Sequence, residues 1–131
     1  MPRPHDRTGQ RGSATVEFSL VLPLLFVLAL GLIQVGLLAR DRLLVEAAAR
    51  AGARAAAIQD DPAEVESAVH AAAPTLDAAS TTVSIAREGV RGAPVTVQVD
   101  YDDEVRMPLI GWLVGSAIHL STSATMRQEF G

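Results

Sequence analysis

The chain of 131 residues contains no cysteine and no lysine. Without cysteine there are no disulfides and no thiolate metal ligands, yet exported domains need not carry disulfides, so the compartment stays open. Without lysine, all eleven positive charges are arginines, scattered rather than gathered into a stripe. With a formal net charge of −4 this argues against a nucleic-acid partner. The third absence is local, since no side chain from Ser19 to Ala39 is charged. At about 1.5 Å per helical residue these 21 positions reach roughly 30 Å, the depth of one bilayer core. Outside that run and the residues before it, only about ninety residues are left to fold in water, too few for a large catalytic core.

What is present divides by period. Residues 1–12, MPRPHDRTGQRG, hold two prolines, two glycines and Arg3, Arg7 and Arg11 without apolar periodicity, and read as a disordered basic leader. The apolar run continues into RDRLLVEAAARAGARAAAIQ, where Arg42, Glu46, Arg50 and Arg54 recur every four residues and support a helix through i,i+4 pairs. One helix is therefore predicted over 13–58, bent near Pro23, with Leu44, Ala48, Ala51, Ala55 and Ile58 as a slender apolar stripe for packing on a small sheet. Asp61, Pro62 and Glu64 are a helix-start signal for a second helix to about Ala73, stopped by Pro74. Beyond it the period becomes twofold. Val83 and Ile85 mark one strand, Val95 to Tyr101 a second and Ile118 to Met126 a third, with the glycine-bearing link Glu88–Gly92 as a hairpin loop. The expectation is an α+β protein: a long N-terminal transmembrane helix continuing into a small head, 59–131, with a second helix and a three-stranded antiparallel sheet.

Few side chains suggest chemistry. His5 lies in the leader, His119 points outward from a strand, and His70 with Glu66 one turn before it reads as a solvated helix pair. The acidic run Asp100–Glu104 lacks the ordered spacing and glycine turn of a calcium loop and reads as a solvated strand end. The Ser and Thr residues of the third strand have neither base nor oxyanion motif. No catalytic residue, metal or cofactor is expected. Met107–Gly115 is apolar and carries the lone Trp; it reads as a crossover covering the core, or as a contact with another subunit or the outer leaflet.

The acid at the mouth of the apolar run is harder to pass over. Glu17 lies where an ordinary secretory signal would carry a basic flank, and the run is longer than the usual 7–15 residues of such a signal. An acidic side chain at a membrane centre costs about 2.5–3.5 kcal/mol, less near the interface, so Glu17 needs a headgroup position or a partner. Within the run, Ala29, Gly31, Gln34 and Gly36 are small or hydrogen-bonding, and small residues permit close helix contact in lipid.

Gly12-Ser13-Ala14-Thr15-Val16-Glu17-Phe18 resembles the class III signal of type IV pilin-like proteins, and VEFSLVLPLLFVLALGLIQVG, ARAGARAAA and STSATMRQEF resemble the TadE-like pseudopilins of the tight-adherence (Flp) pilus. The resemblance implies a pilin-like fold, cleavage between Gly12 and Ser13 by a prepilin peptidase, and Glu17, beside Phe18, as the assembly charge that meets the new amine of a neighbouring subunit. Gln34 departs from it, standing where such proteins often carry an acid between two glycines. It implies a minor pseudopilin, an assembly subunit and not an enzyme, whose partners are the peptidase, other pilin or pseudopilin subunits, the assembly machinery and the bilayer. The leader would be cytoplasmic and the head outside a single-pass anchor in the cell membrane, with incorporation into pili a further expectation. The arginines flanking the run on both sides do not settle that orientation. The alternative is a single-pass anchored extracytoplasmic binding protein unrelated to pili.

Overall fold

A computed structural model describes residues 9–104 and 117–129. The first eight residues and the apolar segment Met107–Gly115 lie outside the described residues, and so does the test of either reading of that segment. In chain order the elements are α1 (Gly9–Ile58), α2 (Pro62–Ala72), a single 3-10 turn (Ala78–Ser80), β1 (Thr81–Arg87), β2 (Pro94–Glu104) and β3 (Ala117–Arg127). This is the expected α+β architecture, with a long apolar helix, a second helix and an antiparallel sheet in the order β1-β2-β3. α1 opens at Gly9, four residues before the predicted start at Ser13, so Gly9–Gly12 of the expected leader continue the helix; once a helix is nucleated, each added residue gains a hydrogen bond.

The chain divides into two compact units, Met1–Leu37 and Leu38–Gly131. In the first, the large apolar side chains are exposed all round α1, Phe18, Leu20, Leu24 and Val35 among them. A helix that is apolar on every side and buried against nothing is suited to lipid, where its backbone groups satisfy one another internally. Pro23 sits inside it. Its ring nitrogen has no hydrogen to donate to the Ser19 carbonyl, and the helix passes through that gap without interruption.

The second unit builds its core from very small residues on one side and valines on the other. From α1 come Val45, Ala48, Ala49, Ala53 and Ala56, from α2 Val65 and Val69, and from the central strand Val95, Val97, Val99 and Tyr101, all buried. The stripe predicted for α1 is out of phase with this face. Ala48 is in the core, but Leu44, Ala51 and Ala55 are half-buried and Ile58 is 56% exposed. The face that packs runs 45, 48, 49, 52, 53, 56, because the valine-studded sheet and α2 leave room only for the smallest side chains. Gly52 sets the limit: a Cβ there would lie 2.6 Å from Val69 Cγ2 and 3.0 Å from Val97 Cγ1. The junction of α1, α2 and β2 has no space for even one methyl.

Local signals set the remaining boundaries. Asp61 caps α2 by accepting from the Ala63 N–H at 2.9 Å, Pro62 occupies the first helical position, and Ala73, preceding Pro74, leaves the helical region at φ −135° and ψ 62°. Asp77 repeats the device for the 3-10 turn through the Ala79 N–H at 3.0 Å. The β1–β2 link carries Gly89 and Gly92 at φ 71° and 84°, the left-handed region that glycine enters without steric cost. Beyond β3, Gln128 exchanges backbone hydrogen bonds with Gly92 and Ala93, and the Glu129 N–H donates to the Ala57 carbonyl at 2.8 Å. These contacts fasten the third strand to the hairpin loop and to α1.

Candidate functional site

The residues singled out for assembly all fall on α1. Gly12 and Ser13 lie in its opening turns, followed by Glu17 and Phe18, both exposed. Two residues beyond Glu17, the Ser19 hydroxyl donates to the Thr15 carbonyl at 2.8 Å, a bond that satisfies the hydroxyl within the helix itself. At 3.6 residues per turn, Ala29 and Gly36 share one side of the helix while Gly31 and Gln34 share roughly the opposite one. The four therefore do not form one contact strip. A Cβ built on Gly31 or Gly36 meets nothing within 4 Å, so both backbones are open to close approach from outside.

Past the apolar run, Arg42 and Arg50 each approach Glu46 at 3.7 Å, the i,i+4 pairing that the fourfold spacing predicts. Arg54, one turn further, meets no acid among the described residues.

A second polar cluster lies on the sheet face turned away from the helices. Asp102 and His119 are cross-strand partners, and His119 Nδ1 stands 2.7 Å from Asp102 Oδ1, while its Nε2 is 3.5 Å from Asp100 Oδ1. Gln98 Nε2 donates to Asp100 at 3.1 Å and to Ser121 Oγ at 3.3 Å. The hydrogen bond to Asp102, and then the two carboxylate charges, raise the His119 pKa above its ordinary 6.5. Hydrogen bonds from Ser121 and then Gln98 lower that of Asp100 below 3.8. The arrangement sets the His119 ring between two carboxylates on a solvated surface and favours its protonated form. Among the described residues no three of His, Cys, Asp and Glu converge as metal ligands.

One helix is long and apolar enough to cross a membrane, and it lies near the N-terminus. Residues 12–54 match the family model described as TadE-like protein. Over that segment the chain is similar to TadE-like proteins. No curated protein and no solved structure matches it. The match associates the chain with the tight-adherence (Flp) pilus system and its machinery in general. The TadE-like segment contains Gly12, Ser13, Glu17, Phe18, Ala29, Gly31, Gln34 and Gly36, and it reaches into the core-forming half of α1, including Gly52. α2 and the sheet, with the His119 cluster, lie beyond it.

Two features of this molecule escape a linear reading. Gly52 is one small residue in a run of alanines, and only the approach of Val69 and Val97 distinguishes it. The acidic run and His119 are each visible in sequence, but their meeting depends on a register that runs across the residues between β2 and β3.

Proposed function

We propose that this chain is a membrane-anchored minor pseudopilin that serves assembly of a tight-adherence pilus and has no catalytic activity of its own. The observation that carries the proposal is the TadE-like match over 12–54, which spans the Gly12–Ser13 pair, Glu17 and the whole uncharged run. In this reading a prepilin peptidase cuts after Gly12 on the cytoplasmic side, and the head is carried outside. The new ammonium on Ser13 then meets Glu17 of a neighbouring subunit. Two unit charges about 4 Å apart attract by roughly 4 kcal/mol at an effective dielectric of about 20, comparable to the cost of burying one carboxylate in a membrane helix. A subunit in register offsets that cost, and a misregistered one leaves it standing.

Glu17→Gln tests this directly. It preserves size and removes the charge, so insertion is retained or improved while association falls. Glu17→Asp is intermediate, because its charge remains on an arm shorter by one methylene. Crosslinking of membrane-embedded chains through a cysteine placed at Ala14, at matched expression, reads the association. A Gln variant that crosslinks as well as the parent would reject the pairing.

A further inference from the structure

The head bears a groove that none of the described residues fills. It lies between the end of α1 and the outer side of α2, holds about 510 Å³, and is walled by Ala55, Ile58, Ala63, Glu64, Ala68 and Ala71. Four alanines make a wall that another helix can approach closely, and Ile58 stands 56% exposed at its edge. Glu64, on its rim, meets no cation among the described residues.

We propose that this groove receives α1 of a second copy of the chain, through the face carrying Leu43, Ala47 and Arg54. The proposal rests on the reading of the chain as an assembly subunit and specifies the surface by which its heads would meet. Counted at 3.6 residues per turn, Leu43, Ala47 and Arg54 lie on one side of α1, directly opposite the core face of Val45 and Gly52. Leu43 is 64% exposed on that side. Arg54 supplies the positive charge that the groove's Glu64 lacks, and the half-buried Ala47 offers a side chain small enough for the alanine wall.

The axial levels agree as well. Gly52 lies against both Val69 and Val65 of α2, and Glu64, next to Val65, lines one groove with Ala55 and Ala71. Glu64 and Ala71 are seven residues apart on α2, the spacing of Arg54 and Ala47 on α1. A second α1 laid parallel in the groove brings Arg54 to Glu64 and Ala47 to Ala71 with no slide along the axis. Groove and knob are different surfaces of the same molecule, so the contact is head-to-tail and extends to a third copy, unlike a closed two-fold pair.

The chain has no cysteine, so a crosslinking pair reports without background. In the full-length protein in membranes, Ala47→Cys and Ala71→Cys in one chain are expected to give a ladder of dimers, trimers and larger adducts on oxidation, while either cysteine alone gives little. Reversing one rim charge, Arg54→Glu or Glu64→Arg, should lower adduct yield roughly two- to fivefold, the range of an exposed ion pair, and combining the two reversals should restore it. The rescue separates a broken contact from a misfolded head. Absence of the ladder, adducts that stop at dimers, single-cysteine chains that crosslink equally well, or a yield indifferent to both charge reversals each overturn the proposal. The Ala14 crosslink run in parallel separates the two readings: if it persists without the ladder, only the groove contact falls; if both are lost, the assembly reading falls with it.

Discussion

At the scale of single residues, His119 and Gly52 make the sharpest predictions. His119 has both ring nitrogens facing carboxylates, an arrangement satisfied only when both carry protons. Its folded pKa is raised, so the stability it contributes is fully present below pH 6.5 and is lost as pH rises through the folded value. Asp100 acts in the opposite sense: its pKa is lowered, and its contribution is present above 3.8 and lost as pH falls through the folded value. Asp102→Asn replaces the carboxylate whose charge-assisted hydrogen bond dominates the His119 shift with a neutral, weaker acceptor, and the His119 titration followed by NMR should move down toward 6.5. An unchanged midpoint would mean that the pair does not form in solution. Gly52→Ala sets two opposing terms against each other: alanine gains up to about 1 kcal/mol of helix propensity over glycine, and overpacking a core costs about 1–3 kcal/mol. Because the obstructing atoms are short, stiff valine methyls, the steric term wins. Denaturant unfolding of the detergent-solubilised chain should show a loss on the order of 1 kcal/mol, and Gly52→Leu should prevent the head from packing.

At the scale of elements, the boundaries were the most legible part of the chain and the packing phase the least. Asp61, Pro62 and Pro74 are chemical instructions that act within a turn of themselves, and α2 begins and ends where they say. The twofold alternation of β2 places Val95, Val97 and Val99 inward because a strand has only two faces to choose between. The alanine-rich part of α1 is different. Alanine is compatible with core and surface alike, so a helix of alanines and arginines carries little record of which side is covered, and the larger residues Leu44 and Ile58 point to the wrong stripe. Likewise the fourfold arginine spacing is satisfied at Glu46 but has no acid waiting for Arg54, which is why the outward face stands out only in three dimensions. The residues expected to serve assembly were named from sequence and resemblance alone, while the separation of Ala29 and Gly36 from Gly31 and Gln34 follows from helical geometry. Asp61→Ala tests the local-signal account: losing the cap on the Ala63 N–H should cost about 1 kcal/mol of head stability, and Asp61→Ser should retain most of it. Equal urea midpoints for Ala and Ser would show that α2 is held by Val65 and Val69 without help from its cap.

At the scale of the whole molecule, processing after Gly12 would change both charge and attachment. Loss of residues 1–12 removes three arginines and one aspartate and takes the formal charge from −4 to −6. In the proposed topology it would also remove the basic segment that draws the N-terminus to anionic lipid. Intact-mass measurement on protein recovered from cells with a prepilin peptidase should show a chain beginning at Ser13, and Gly12→Val should leave the full-length form in the membrane by placing a branched side chain beside the scissile bond. Equal amounts of shortened protein from variant and parent would remove cleavage from the account. The clasp formed by Gln128 and Glu129 bears on the order in which such a molecule matures. In the proposed topology Ala57 crosses the membrane long before Glu129, yet its carbonyl takes its hydrogen bond from the Glu129 N–H. β3, too, can join β2 only after the residues between them have passed. The head is thus a structure of late contacts, with its earliest-arriving helix waiting on its latest-arriving strand. In that topology the interval leaves the alanine face of α1 and the valines of β2 uncovered together, and the export proposed here would be the stage at which a chaperone or a protease meets them.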